Sequence, residues 1–136
     1  MNSKRCKDLM TRDVKFCLPG DSAYHAARMM EIDQVGSLPV VDNMESQKLT
    51  GILTDRDLAM KVTASGSDPK KVRVDDIMSA TPISCRVEDE VSRATQAMEE
   101  FNIRRVPVVD STSRLMGILS RSDVEAANFL PSGTPA

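Results

Sequence analysis

One feature narrows the possible folds more than any other: the chain writes a single pattern twice. Displaced by 68 positions, residues 8–42 fall on 76–110 with eleven identities in 35 positions. Among them are Asp8/Asp76, Met10/Met78, Cys17/Cys85, Asp21/Asp89 and Met30/Met98. The block Pro39-Val40-Val41-Asp42 returns as Pro107-Val108-Val109-Asp110. A two-residue shortening follows, and the register resumes with a displacement of 66. Leu49, Gly51, Ile52, Leu53 and Asp57 then match Leu115, Gly117, Ile118, Leu119 and Asp123. An internal repeat decides architecture before any local propensity does.

Each copy reads as strand, helix, strand, strand, helix. A short strand at Val14–Cys17, or Ile83–Val87, leads to a turn carrying Asp21 or Asp89. Val91, Ala94, Met98 and Phe101 recur at helical spacing, as do Ala23, Ala26, Ala27 and Met30. Gly36 is placed to end the first helix. Apolar strands follow at Leu38–Val41 and Leu49–Leu53, with copies at Val106–Val109 and Leu115–Leu119, and a last helix opens at Thr54 or Ser120. The first motif spans about 6–63, a polar linker 64–73, the second motif 74–128, and a tail 129–136, frayed from Pro131. One such unit is too small to cover both faces of its sheet. The expected fold class is therefore α+β, two strand-helix-strand-strand-helix units packed about a pseudo-twofold axis as one module.

Composition removes several functions. With 18 basic and 20 acidic residues among 136, the chain lacks the cationic surplus that phosphate backbones demand. Aromatics at 3%, with no Trp, leave no stacking platform for single strands. No apolar run approaches the roughly 20 residues of a membrane span, and the start of the chain lacks a signal-peptide core. A cytoplasmic protein without nucleic-acid or membrane partners is expected. Cys6, Cys17 and Cys85 are too scattered for a disulfide framework or a zinc site. Cys17 and Cys85 read as buried small hydrophobes. The nine Met residues read as core filler. His25 has no recognisable nucleophile beside it and reads as a helix-surface residue.

Chemistry concentrates where the last strand of each copy ends. Gly51-Ile52-Leu53-Thr54-Asp55-Arg56-Asp57 is echoed by Gly117-Ile118-Leu119-Ser120-Arg121-Ser122-Asp123. A hydroxyl followed three residues later by a carboxylate is a near capping box for the helix. The same place, a strand end opening into a helix, can also hold a phosphate on free N–H groups. A carboxylate there can accept from a ribose diol.

Three marks appear twice and in order: Asp8-Leu9-Met10 with Asp76-Ile77-Met78, the Leu/Val-Pro-Val-Val-Asp strand, and Gly-Ile-Leu-Thr/Ser-x-x-Asp. In these the chain resembles the cystathionine-β-synthase (CBS) pair family, or Bateman modules, over about residues 6–128. The resemblance implies a regulatory module binding adenosine-containing ligands, among AMP, ADP, ATP, NAD and S-adenosylmethionine, in clefts between the motifs. No obligatory cofactor is implied. It implies a homodimer as well. With nothing else fused to the module, its output is expected to act in trans on an unidentified protein partner.

Carried over residue by residue, Asp57 and Thr54 would serve one cleft, with Thr81, Pro82 and Ile83 beside the adenine. Asp123 and Ser120 would serve the other, flanked by Val14 and Lys15. Arg104 and Arg105 match family positions that set cations against phosphates, and are expected to serve the cleft of Asp57. An exposed helix end favoured by the dipole is their alternative role. Gly36 and Ser37 stand at those positions in the first motif, so the clefts are expected to be unequal, with Arg56 compensating in the second. A ligand-free dimerisation or docking module is the alternative function. An enzyme is disfavoured, because no metal cluster, paired acid and base or Gly-rich phosphate loop is visible.

Overall fold

The middle strand of each repeat is apolar along its length, and in the fold it has a backbone partner on each side. The computed structural model describes residues 4–128. Its elements run α1 (Cys6–Leu9), α2 (Ala23–Asp33), β1 (Ser37–Val41), β2 (Leu49–Thr54), α3 (Asp55–Leu58) with a π turn over Ala59–Thr63, and α4 (Val74–Ile77). They continue as β3 (Cys85–Arg86), α5 (Val91–Phe101), β4 (Arg105–Val109), β5 (Leu115–Ser120) and α6 (Arg121–Asn128). Helix and strand are mixed in the α+β manner expected. The tail at 129–136 lies outside the described residues.

Two compact units form, and their limits do not follow the repeat boundaries. One is Lys15–Pro82; the other joins residues 4–14 to 83–128. The segment that opens each copy has thus gone to the hairpin of the other copy. In the Lys15–Pro82 unit, Ser79 and Ile52 exchange backbone hydrogen bonds of 2.9 and 3.0 Å. In the second unit Thr11 and Ile118 do the same at 2.8 and 2.9 Å, and Cys6 N–H donates to Asp89 at 2.8 Å. Glycine makes both approaches possible. A Cβ on Gly51 would stand 2.5 Å from Met78 Sδ and 2.8 Å from the Ser79 carbonyl. On Gly117 it would stand 2.6 Å from Met10 Sδ and 2.8 Å from the Thr11 carbonyl. The Asp-Leu/Ile-Met and Gly-Ile-Leu marks are therefore two halves of one contact.

Within each unit the same core is built. In the first, β1 pairs antiparallel with β2, Cys17 bridges Val40 in parallel, and Ala23, Ala26 and Met30 of α2 pack on Leu38, Val40 and Leu53. In the second, β4 lies between β3 and β5, under Ala94 and Met98 of α5. Four of five residues are buried in both β1 and β4, as their sequence requires.

Two local expectations need correction. Gly36 does not end α2: Gln34 does, at φ 57°, with Asn102 doing the same for α5 at φ 54°. Gln34 Nε2 donates to the Glu31 carbonyl at 2.9 Å, satisfying a helix-end acceptor that offsets the left-handed backbone. The leading strands are also shorter than expected, reduced to a bridge at Cys17 and to Cys85–Arg86. The Asp21 carboxylate accepts from Leu18 N–H at 2.9 Å, and Asp89 from Arg86 N–H at 2.9 Å, turning the chain at once.

Candidate functional site

Both strand-to-helix junctions form the capping geometry their sequence allows. Thr54 is extended, at φ −117° and ψ 162°, and its hydroxyl accepts from Asp57 N–H at 3.1 Å. Asp57 Oδ2 accepts from Thr54 N–H at 2.9 Å and from its hydroxyl at 3.0 Å. In the second copy Ser120 Oγ accepts from Asp123 N–H at 3.1 Å, and Ser120 N–H donates to Asp123 Oδ2 at 3.0 Å. The capping role is thus real in both copies, and each carboxylate has one oxygen committed to it.

Beyond the caps the junctions diverge. Lys61 Nζ lies 3.3 Å from Asp57 Oδ1 and donates to the Ile77 carbonyl at 3.0 Å. Ala127 stands at the matching place in the second copy. Ser120 is the buried polar residue among those described, and its hydroxyl is 3.0 Å from that of Ser122. A cavity of about 210 Å³ opens there, lined by Arg104, Arg105, Ser120, Arg121, Ser122 and Glu125. Strand register assembles it: Arg105 pairs with Ser120, and Arg121 N–H donates to the Arg104 carbonyl at 2.8 Å. None of the three guanidiniums joins an ion pair among the described residues. The cavity thus brings three arginines, two serines and one glutamate to the start of an eight-residue helix, a set that can hydrogen-bond an anion.

The expected site residues are distributed between the two units. Lys15, Thr54, Arg56, Asp57, Thr81 and Pro82 belong to Lys15–Pro82; Val14, Ile83, Arg104, Arg105, Ser120 and Asp123 belong to the other. Arg104 and Arg105 line the cavity of Ser120. The cause is the β4–β5 pairing, which sets the two arginines directly beside the Ser120 turn. Arg56, Lys15 and Thr81 are exposed, while Val14, Pro82 and Ile83 are half-buried. Sequence reasoning missed Arg121, Ser122 and Glu125 as lining residues. Arg121 was visible as a charge reversal, since the first copy has Asp55 at its position.

The remaining candidates are structural. Cys6, Cys17 and Cys85 are buried and free. Burial, then the nearby Asp21, pushes the Cys17 thiol up to about 12. A hydrogen bond with Cys85, then burial, raises that of Cys6. His25 is exposed on α2, its backbone N–H held by Ser22 Oγ at 3.0 Å. No group of three or more potential metal-ligating side chains exists among the described residues, and no described helix is long and apolar enough to cross a membrane.

Known proteins share this fold. The chain is 37% identical over 118 residues to the CBS domain-containing protein YhcV of Bacillus subtilis, covering 87% of this chain and 81% of that one. CBSX2 of Arabidopsis thaliana, solved in complex with AMP, matches with a TM-score of 0.80 and 28% identity over 95% of this chain and 98% of that one. The CBS domain pair of MJ0100, solved with 5′-methylthioadenosine and S-adenosyl-L-methionine, matches with a TM-score of 0.77 and 29% identity, covering 91% and 98%. The family model of the CBS domain matches residues 6–63 and again 74–127, and with both repeats accounted for, the chain belongs to the CBS domain family as a tandem pair.

Proposed function

We propose that the chain is a regulatory module, not an enzyme, that binds adenosine-containing ligands and acts in trans on a protein partner as a homodimer in the cytoplasm. The observation that carries this reading is the cavity at Ser120, where three arginines that join no ion pair among the described residues share the lining with Ser120 of the repeated hydroxyl-x-x-Asp motif, against one acidic residue, Glu125. A phosphate fits there by charge and by hydrogen bonding. Asp123 holds Ser120 with one oxygen, which leaves the other for a ribose diol. AMP, ADP, ATP and NAD carry both groups, and S-adenosylmethionine carries the diol alone. The likeness to CBSX2 with AMP and to MJ0100 with S-adenosyl-L-methionine supports the same ligand class.

A thermal-shift series with AMP, ADP, ATP, NAD and S-adenosylmethionine tests the proposal. A ligand that binds only the folded chain raises its unfolding temperature with concentration. Asp123→Asn, which removes a charge-assisted contact of roughly 1.5–3 kcal/mol, should weaken binding by about one to two orders of magnitude. If none of the five ligands shifts the transition, the adenosine reading fails. The docking-module reading then takes its place, favoured by the exposed apolar side chains of Ile32 and Met60, 69% and 57% accessible.

A further inference from the structure

The two junctions share one backbone pattern and differ in charge. Asp55 N–H donates to the Gly36 carbonyl at 2.9 Å, as Arg121 N–H donates to Arg104 at 2.8 Å. On that common frame, Arg104, Arg105 and Arg121 of one junction correspond to Gly36, Ser37 and Asp55 of the other. The Asp55 carboxylate also fills the space that a longer residue at 36 would use, with Oδ2 3.1 Å from where a Cβ on Gly36 would stand. Around Ser120, Arg104, Arg105 and Arg121 share the cavity lining with Glu125, and Asp123 holds Ser120, which leaves a positive excess. Around Thr54, Asp55 and Asp57 stand against Arg56 and Lys61, with Ala59 in place of Glu125, leaving none.

We infer that the charge at this helix-opening position, Arg121 in one copy and Asp55 in the other, decides whether a junction accepts a phosphate, so that the chain binds one phosphorylated ligand at Ser120 and excludes phosphate at Thr54. A phosphate monoester carries nearly two negative charges near neutral pH, which suits the first setting and opposes the second. Exclusion by a like charge is a specificity device in its own right, separate from any attraction. Which adenosyl ligands reach each junction then follows from their charge. The inference rests on the adenosine-ligand reading only for the nucleoside part of the ligand, because the phosphate part depends on the arginines.

Calorimetric titration of the full chain with AMP, adenosine and inorganic pyrophosphate separates these dependences. The parent should bind one AMP per chain. Arg121→Asp should lose at least about tenfold in AMP affinity and keep its affinity for adenosine, a differential effect that a merely structural role does not produce. Asp55→Arg should raise the AMP stoichiometry above one. Both positions are exposed, and circular dichroism checks each variant, with Arg121→Gln as the milder substitute should Arg121→Asp not fold. Two AMP per chain in the parent, an unchanged AMP-to-adenosine preference in the position-121 variant, or a stoichiometry of one in Asp55→Arg overturns the inference. If the chain binds neither AMP nor adenosine, the adenosine reading fails on its own and pyrophosphate decides the charge argument. One pyrophosphate bound by the parent and lost on Arg121→Asp sustains it; any other result removes it.

Discussion

Lys61 reaches back one helical turn to place its ammonium 3.3 Å from the free oxygen of Asp57, whereas the residue four beyond Asp123 is an alanine. The same carboxylate motif is therefore closed by a cation in one copy and open in the other. The Lys61 side chain is half exposed, so the ion pair itself adds little stability, whereas the capping bonds of Asp57 satisfy backbone groups at a helix start. Asp57→Ala should cost about 1–2 kcal/mol and Lys61→Met less than about 1 kcal/mol in urea unfolding. A Lys61→Met loss exceeding that of Asp57→Ala would reverse this ranking.

Glycine at 51 and 117 lets each lead-in methionine and the carbonyl after it press against the hairpin. A methyl group there collides with backbone as well as with a flexible sulfur, so relaxation is limited. Gly51→Ala and Gly117→Ala should each destabilise by roughly 1–3 kcal/mol, read from urea midpoints at constant m. A loss below about 0.5 kcal/mol would mean that the segments yield easily.

Stability toward acid should depend on the two hairpin aspartates. Asp42 is lowered below its ordinary value by the Ser46 hydroxyl, and Asp110 by that of Thr112. A depressed carboxylate contributes stability above its unfolded value of about 3.9 and loses it as pH falls through the lower folded value. Thermal unfolding temperature should stay level from neutral pH to about 5, then fall below about 4. Asp42→Asn with Asp110→Asn should flatten that acid limb. Parallel curves for parent and double variant would remove these residues from the account.

All three thiols should resist alkylation in the native state, because reaction needs an exposed thiolate and each cysteine is buried. Mass spectrometry after maleimide treatment should find none modified in the folded chain and three after denaturation. Rapid native labelling of Cys17 would contradict its burial and its suppressed ionisation.

The repeat and its buried middle strands were legible because β1 and β4 are apolar at nearly every position, a pattern only a doubly covered strand tolerates. The caps were legible too, since Thr54/Asp57 and Ser120/Asp123 act within three residues of each other. Helix ends were not, because Gln34 reaches a left-handed backbone through a local carbonyl contact that composition does not reveal, while the nearby glycine invited the wrong choice. The arginine-lined cavity was half legible. Arg104 and Arg105 stood out, but Arg121 joins them through strand register, and its significance lies in a difference between copies that a search for identities passes over.

The exchange of lead-in segments also orders events during synthesis. Lys15–Pro82 is continuous, and all its parts are present once Pro82 has left the ribosome. The other unit needs Cys6 to meet Asp89, 83 positions further on, and Thr11 to meet Ile118, 107 positions further on, so its opening segment waits for partners made much later. Closing so long a loop late is slow relative to local pairing. Protease digestion of stalled nascent chains should therefore show Lys15–Pro82 protected first, with residues 4–14 still cleavable until the β5 hairpin arm has emerged.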